Sequence, residues 1–599
     1  MSGTIRVLPQ EVVVLIAAGE VVQRPAACVK ELVENSLDAG ATAVTVSIQG
    51  GGLDSIRVTD NGSGIAPSDL RLAFAPHATS KLGRAEDLHR VATLGFRGEA
   101  LASIARVSKV TLTTRQKGSD IGMKAVNEGG EILSITPAAC AEGTQVLVED
   151  LFFNAPVRRD FMQKPQREAL ACAELAAQLI LSSPQVSFRL ISEGKQVYAS
   201  PGDGSLEGAV LAVYGVDTLK ALKKVDGGEQ GVLVKGLVGI GEEARGNRAH
   251  QHFFLNGRAV RGQSLSLAVE EVCRTRVMIG RYPMCALALT LPFEAVDVNV
   301  HPNKWEVRFI NEQAVKEAIL TAVGEAMGGE PLKSPPPLFE RKPQENMPLV
   351  TRREMETQWT DETRPAALVA RDAAAPEAIP PAFHASDTLP RIEPEPPVQE
   401  HAAGVPIAGE TLEVLGKAFG TYIIAQQGER LLLIDQHALH ERLLFDRMMA
   451  AAREKAQAQT LLAPRLIELD YPSYQTFLIY REDLKSAGFI AEDFGSRSVR
   501  LMGLPMELGE TMAERSFQDA LDELRTQGSM KQQSRTERII MAACKHAVKG
   551  GEKLPEGVLQ ALADEMVRKG TTPSCPHGRP IVLELTRTEL ERRFRRIQG

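Results

Sequence analysis

Cysteine is scarce in this chain. Seven residues, at 28, 140, 172, 273, 285, 544 and 575, are scattered over 599 positions. An odd, dispersed set does not describe a disulfide framework, so reduced thiols are expected, most of them buried and inert. Long hydrophobic runs are also missing. The longest early apolar stretch, Val12 to Ala18, is flanked by Glu11 and Glu20 and has no basic leader. It is therefore neither a secretion signal nor a membrane span, and a cytoplasmic protein with no membrane partner is expected. Nor is there a basic excess: the formal charge is −7. Any nucleic-acid contact must then be local. A P-loop is absent too, since Gly416-Lys417 is followed by Ala418 and lacks the required spacing.

What is present is an ordinary soluble composition, 43% apolar and 24% charged, in a chain too long for one core. Roughly three to four folded units are expected. Between Pro331 and Pro406 stand 15 of the 34 prolines, with little apolar periodicity, which reads as a disordered linker over 331–408. It separates an N-terminal region, divided near residue 205 into 1–204 and 205–330, from a C-terminal region, 409–599.

In the first unit, Pro25 can open a helix, Val29, Leu32, Val33 and Leu37 recur at helical spacing, and Gly40 ends it. Alternation over Ala43 to Gln49 and a run from Ser55 to Thr59 predict two strands around Gly50-Gly51-Gly52. The order points to an α/β sandwich. Further strands are predicted at Gln251 to Leu255, Ala286 to Leu291 and Glu306 to Phe309. No solenoid repeat is visible.

On the first helix Glu31, Asn35 and Asp38 share the face opposite the apolar stripe, a polar surface suited to a metal-bound nucleotide. Asp60-x-Gly62-x-Gly64 joins a carboxylate to two glycines that let backbone approach a ligand, and Gly95 to Leu101 is a glycine-bounded loop. Taken alone, either an acidic helix face or such a turn is more often merely solvated. Together, the runs Ile16-Ala17-Ala18-Gly19-Glu20-Val21-Val22, Lys30 to Thr42, His77-Ala78-Thr79-Ser80-Lys81 and Gly95 to Leu101 resemble the GHKL ATPase superfamily and, within it, the MutL family.

The resemblance implies a mixed α/β (α+β) protein: a GHKL, Bergerat-type ATPase sandwich, a ribosomal-S5-like transducer, a linker, and a C-terminal dimerisation and metal-binding domain. It implies ATP and Mg²⁺ as cofactors. Glu31 becomes the general base, Asn35 the Mg²⁺ ligand, and Asp60 the acceptor for the adenine amino group, with Gly62 and Gly64 letting the base sit close. Asp38, Thr79, Ser80, Lys81 and Thr144 join the nucleotide contacts, Gly95, Phe96, Arg97, Gly98, Glu99, Ala100 and Leu101 form a lid, and Lys304, in the run Asp297 to Lys304, reaches the γ-phosphate. The bland reading of Lys304 is an exposed turn residue; His301 is read as structural. Two departures, Val12-Val13-Val14-Leu15 and Pro76 before His77, touch dimer and lid details rather than the catalytic groups.

In the C-terminal region His437 and Glu441 stand one helical turn apart, Cys575 and His577 form a second pair, and Cys544 offers a thiolate. Nitrogen, sulfur and carboxylate donors of this kind suit Zn²⁺ or a related ion, although a lone buried cysteine is usually core. With Asp435 these positions resemble the motifs of the endonuclease-bearing MutL branch. That implies a Zn²⁺ and/or Mn²⁺ site activating water against a phosphodiester, and a single-strand nick. Asp446 stands where that branch has a second glutamate.

Gln459 to Pro464 is similar to the family's sliding-clamp contact; its bland reading is a strand entering the core. The arginines at 592, 593, 595 and 596 suit phosphate or a solvated helix end. The implied partners are a second copy of the chain, a MutS-type mismatch-recognition protein, DNA and the clamp. The rival reading is an ATP-switched matchmaker whose C-terminal zinc is only structural; Asp435 argues against it. A topoisomerase or a sensor kinase would need a nuclease core with a cleavage tyrosine, or a phospho-accepting histidine segment, and neither is found.

Overall fold

The computed structural model describes residues 22–79, 98–274, 276–277, 281–297, 307–328, 411–454, 458–526, 532–544, 556–570, 574–576 and 578–596. The linker expected over 331–408 lies outside them, as does the run Val12 to Ala18.

The first helix, Pro25–Asp38, has Pro at its first turn, where the missing amide hydrogen costs nothing, and buries Cys28, Val29, Leu32 and Val33. Its chain leaves through Gly40 at φ 70°, a left-handed position that suits glycine. The strands follow: β1 (Ala43–Gln49), β2 (Ser55–Asp60), β3 (Lys109–Arg115), β4 (Gly122–Glu128), β5 (Glu131–Ala138), β6 (Gly143–Glu149), β7 (Ser187–Ser192) and β8 (Lys195–Ala199). They pair in the order β5-β4-β3-β6-β2-β1-β7-β8. Only β1–β7 is parallel, reached through the helix Pro165–Ser182.

Alternating burial along β1 and β3 shows a sheet with one packed face. The helices Pro25–Asp38 and Pro165–Ser182 cover that face, so one long core joins Val33, Val46, Ile56, Leu112, Val148 and Ile180. The helix Leu206–Tyr214, at the expected start of the second unit, packs Ala209, Val210 and Val213 into this first core.

A second sheet holds β9 (Lys223–Glu229), β10 (Val232–Gly239), β11 (Gln251–Leu255), β12 (Arg258–Val260) and β13 (Met284–Thr290) in the order β12-β11-β13-β10-β9. The helices Gln263–Cys273 and Glu312–Ala326 fill its core through Leu265, Val269, Ile319 and Val323. The strand at Gln251–Leu255 falls where alternation put it; that of residues 286–291 spans Met284–Thr290 instead. A ribbon of β14 (Val296–Asp297) and β15 (Arg308–Phe309) is shorter than the predicted run, whose Glu306 lies outside the described residues.

The C-terminal lobe has two cores. The sheet β16 (Glu413–Ala418), β17 (Tyr422–Gln427), β18 (Arg430–Asp435) and β22 (Val582–Thr586) packs on the helix Glu556–Lys569 and on Ala438, Leu439 and Leu443. The sheet β19 (Gln459–Glu468), β21 (Ser498–Leu504), β20 (Ile490–Gly495) packs on the helices Tyr471–Ser486, Ala513–Thr526 and Gln532–Cys544. Leu444, Phe445 and Met448 belong to this second core. The helix Gln436–Arg453 thus serves one core with its first half and the other with its second.

Candidate functional site

Several residues expected at the nucleotide site lie on the helix Pro25–Asp38 and at the ends of β2 and β6. Antiparallel pairing sets Asp60 opposite Thr144, although they are 84 positions apart. One carboxylate oxygen of Asp60 accepts from the Gly62 amide at 2.8 Å and the Thr144 amide at 3.2 Å; the other accepts from the Ser36 hydroxyl at 2.8 Å. Thr114 supports this arrangement by donating to the Gly143 carbonyl at 2.9 Å while its Oγ1 lies 3.0 Å from the Thr144 hydroxyl. Three fixed donors hold the carboxylate in one orientation before any ligand arrives.

The glycines here answer to close packing. A Cβ on Gly64, at φ 72°, would stand 2.3 Å from the Arg115 carbonyl, and one on Gly143 would stand 2.1 Å from the Asp60 carbonyl. Side chains at either position would push β2 and β3 out of register with the loop.

Glu31, Asn35 and Asp38 all line one cavity with Asp60, Gly64, Thr79, Gly98, Glu99, Ala100, Leu101 and Thr144, so the helix face that their spacing defines opens on that cavity. The cavity measures about 2060 Å³. Small-molecule sites run to about 1,000 Å³, so a nucleotide with its metal ion fits with room to spare. Lys30 lies 3.4 Å from Glu31 and 3.1 Å from Glu34. Burial disfavours its charge, but Glu34 and Glu31 outweigh that and hold the ammonium above the usual lysine range.

His77, at φ 62°, sets its Nδ1 2.9 Å from Glu99, and Gly98 approaches the Ala78 carbonyl so closely that a Cβ would lie 2.5 Å away. The two stems of the segment 80–97 are thereby held together. Ser80, Lys81, Gly95, Phe96, Arg97 and Lys304 lie outside the described residues, as does most of the run Ile16 to Val22.

Sequence reasoning missed Ser36 and Thr114, and also the far wall of the cavity, formed by Tyr214, His252, Arg261, Pro472 and Arg525. Nothing local marks those residues. The seven thiols are unpaired and all but Cys140 are buried. Burial, with the neighbouring Glu168, pushes Cys172 up to about 12.

The C-terminal candidates are placed differently. Asp435 ends β18 and caps the helix Gln436–Arg453, accepting from the amides of His437 at 2.9 Å and Ala438 at 3.1 Å. It therefore has a structural role that any protein with this helix start would use, which removes it as an argument between the nuclease and matchmaker readings. His437 and Glu441 do fall on a helix, one turn apart.

Cys544 is buried, with its thiol 3.2 Å from the sulfur of Met448. Burial first, then Glu441, Glu507 and Asp446, push that thiol well above its usual range. Asp446 is ion-paired to Arg442 at 2.9 Å. Cys575 sits in a turn, donating its amide to the Arg579 carbonyl, and packs into the other core. The donor types suit a transition metal, but among the described residues no three His, Cys, Asp or Glu side chains gather as a metal-holding group. His577 lies outside the described residues.

Gln459 and Leu461 turn inward on β19: the Gln459 amide donates to the Pro505 carbonyl at 3.1 Å and also to that of Leu508, and Leu461 is buried. Leu462 points outward and is 95% exposed. Among the described residues no helix is long and apolar enough to cross a membrane.

Residues 23–134 match the family description "Histidine kinase-, DNA gyrase B-, and HSP90-like ATPase", 210–328 match "DNA mismatch repair protein, C-terminal domain", and 415–554 match "MutL C terminal dimerisation domain". The DNA mismatch repair protein MutL of Geobacter sulfurreducens is 37% identical over 611 residues, covering 100% of both chains. That of Acidiphilium cryptum is 38% identical over 595 residues and 97% of each chain. That of Caldanaerobacter subterraneus is 35% identical over 616 residues, 99% of this chain and 100% of the relative. Among solved structures, an Aquifex aeolicus MutL ATPase domain complexed with ADP is 32% identical over 45% of this chain and 93% of its own, with a TM-score of 0.35. With end-to-end identity of this order and ATPase, mismatch-repair and dimerisation segments in one order along it, the chain belongs to the MutL family of DNA mismatch repair proteins.

Proposed function

We propose that the chain binds and hydrolyses ATP as a homodimeric switch that couples mismatch recognition by a MutS-type protein to incision of DNA. The observation that carries this reading is the fixed Asp60 carboxylate facing Glu31, Asn35 and Asp38 across one cavity. Asp60 takes the exocyclic amino group of the adenine. Glu31 orients the attacking water and accepts its proton. Asn35 would hold Mg²⁺, which when bound would neutralise phosphate charge. Asp38, Thr79 and Thr144 complete the contacts, with the lid 95–101 and Lys304 closing on the phosphates. The stems held by His77–Glu99 support a lid in that position.

The test is Glu31→Gln in the full chain. General bases contribute about 10²–10⁴-fold, so turnover should fall by at least about 10²-fold while ATP affinity stays within a few-fold. Unchanged turnover would remove Glu31 from the chemistry.

For incision we read Asp435, His437, Glu441, Cys544, Cys575 and His577 as the metal-holding set, supported by donor chemistry and by the helical placement of His437 and Glu441. A Zn²⁺ or Mn²⁺ ion there would supply Lewis-acid chemistry to a phosphodiester. The second reading, a matchmaker with a structural zinc, is supported by the helix-capping role of Asp435, which needs no metal. Nicking of supercoiled plasmid with Mn²⁺, intact chain against Asp435→Asn, decides between them. Open circles from the intact chain alone support the nuclease; silence in both, with clamp and ATP present, supports the matchmaker. The exposed Leu462 is the anchor offered to the sliding clamp, in a cytoplasmic setting.

A further inference from the structure

Lys30 has no part in the nucleotide contacts proposed for this chain, yet it stands beside the group proposed to do the chemistry. Its side chain lines the same cavity as Glu31 and is only 16% exposed, an unusual place for a lysine, which is ordinarily solvated unless paired. The amine lies 3.1 Å from Glu34 Oε1 and donates to Glu31 Oε1 at 3.4 Å. Helical spacing supplies the first contact, since residues four apart share a face. It does not supply the second. Neighbouring side chains leave a helix about 100° apart, so the Lys30 stem must turn along the helix surface to reach Glu31.

The surroundings keep the ammonium charged and in place. A lysine drawn out of water loses hydration that only opposite charge replaces, and Glu34 and Glu31 both provide it. Glu34 is itself buried, and the Arg258 guanidinium of β12 adds positive charge near Glu34 and Asp38. Lys30 is thus a fixed cation within a set of matched charges on the nucleotide helix. Its bond restricts the Glu31 carboxylate without disabling it: a carboxylate has about four acceptor sites, so a donor at Oε1 leaves Glu31 able to take a proton from water. Aim matters for such a group, because a misplacement of about 1 Å can cost about 10²-fold in rate.

We propose that Lys30 is a positioning residue for ATP hydrolysis, holding the Glu31 carboxylate in the orientation that receives the proton of the attacking water. It acts through Glu31 and does not itself contact the phosphates. This role rests on the reading of Glu31 as the general base.

A double-mutant cycle in the full-length chain tests it. ATP turnover and binding of a fluorescent non-hydrolysable ATP analogue are measured for the wild type, Lys30→Met, Glu31→Gln and the two changes together. Methionine keeps an unbranched apolar stem and removes the ammonium. Lys30→Met should lower kcat by about 10- to 10²-fold while the analogue Kd stays within a few-fold. Because Lys30 works through Glu31, the double variant should turn over within about 2-fold of Glu31→Gln alone, whereas independent losses would multiply. Lys30→Arg, which keeps a cation, should recover most of the lost turnover.

Unchanged or raised turnover in Lys30→Met overturns the proposal. So do losses that multiply in the double variant, and weaker analogue binding alongside them would place Lys30 on a phosphate instead. A folded Lys30→Arg chain as slow as Lys30→Met also overturns it, since the cation would then not be what matters. Full turnover in Glu31→Gln would instead defeat the general-base reading, and the role of Lys30 with it.

Discussion

His252 lies on β11 at the cavity wall, 7% exposed, with its Nε2 2.5 Å from the Tyr214 hydroxyl. Burial first, then His250, Arg525 and Arg261, push it from 6.5 down to about 3, with Asp470 alone opposing. The imidazole is therefore neutral in the folded chain, with its Nε2 hydrogen-bonded to the Tyr214 hydroxyl. A depressed histidine contributes stability that is fully present above about pH 6.5 and is lost as pH falls toward 3, because the unfolded chain takes up the proton first. Between pH 7 and pH 5 the expected loss is about 2 kcal/mol, from about 1.36 kcal/mol for each pH step below 6.5.

The assay is chemical denaturation of the full chain at several pH values, wild type against His252→Gln. Glutamine offers Tyr214 both a donor and an acceptor and does not titrate, so the difference between the two curves cancels the other carboxylates and histidines. That difference should shrink by about 2 kcal/mol on going from pH 7 to pH 5. Parallel curves would refute the reasoning and would mean that His252 is solvated or already charged.

Three further outcomes follow from the geometry. Gly64→Ala forces a Cβ to within 2.3 Å of the Arg115 carbonyl at φ 72°; it should cost about 2 kcal/mol or more in thermal unfolding and weaken nucleotide binding with it. Asp435→Ala should lose about 1 kcal/mol of helix capping, whereas Asp435→Asn should lose only a few tenths, since asparagine caps equally well. If both variants lose nicking while only the first loses stability, chemistry and capping are separated; equal stability in the two denies the cap. Leu462→Ala, at a side chain 95% exposed, should leave stability within about 0.5 kcal/mol, so any loss of clamp binding in a pull-down reports the contact itself. A larger stability loss would show that Leu462 is covered in solution.

Much of the ATPase half could be read from periodicity. The helix Pro25–Asp38 and the strands β1 and β2 follow patterns of 3.6 and 2, and both periods are local properties of the chain. Thr114 was not legible because its role depends on strand register, Asp60 meeting Thr144 and Thr144 meeting Thr114 only through the pairing of β2, β6 and β3, and Ser36 was not because it reaches Asp60 only once the helix Pro25–Asp38 packs on β2. The two cores of the C-terminal lobe escaped for a related reason. Periodicity tells which face of Gln436–Arg453 is apolar, not that Leu443 and Leu444 pack into different cores.

Asp435 was legible in two ways, as a cap before a helix and as a ligand, and the resemblance favoured the second while the geometry supplies the first.

The helix Gln436–Arg453 runs for 18 residues, about 27 Å, from a capped end among the candidate metal residues into the core beneath the strand that carries Leu462. It works as a splint. Any rotation of one half of the C-terminal lobe against the other would have to bend this helix near Leu443 and Leu444, where its packing passes from one core to the other.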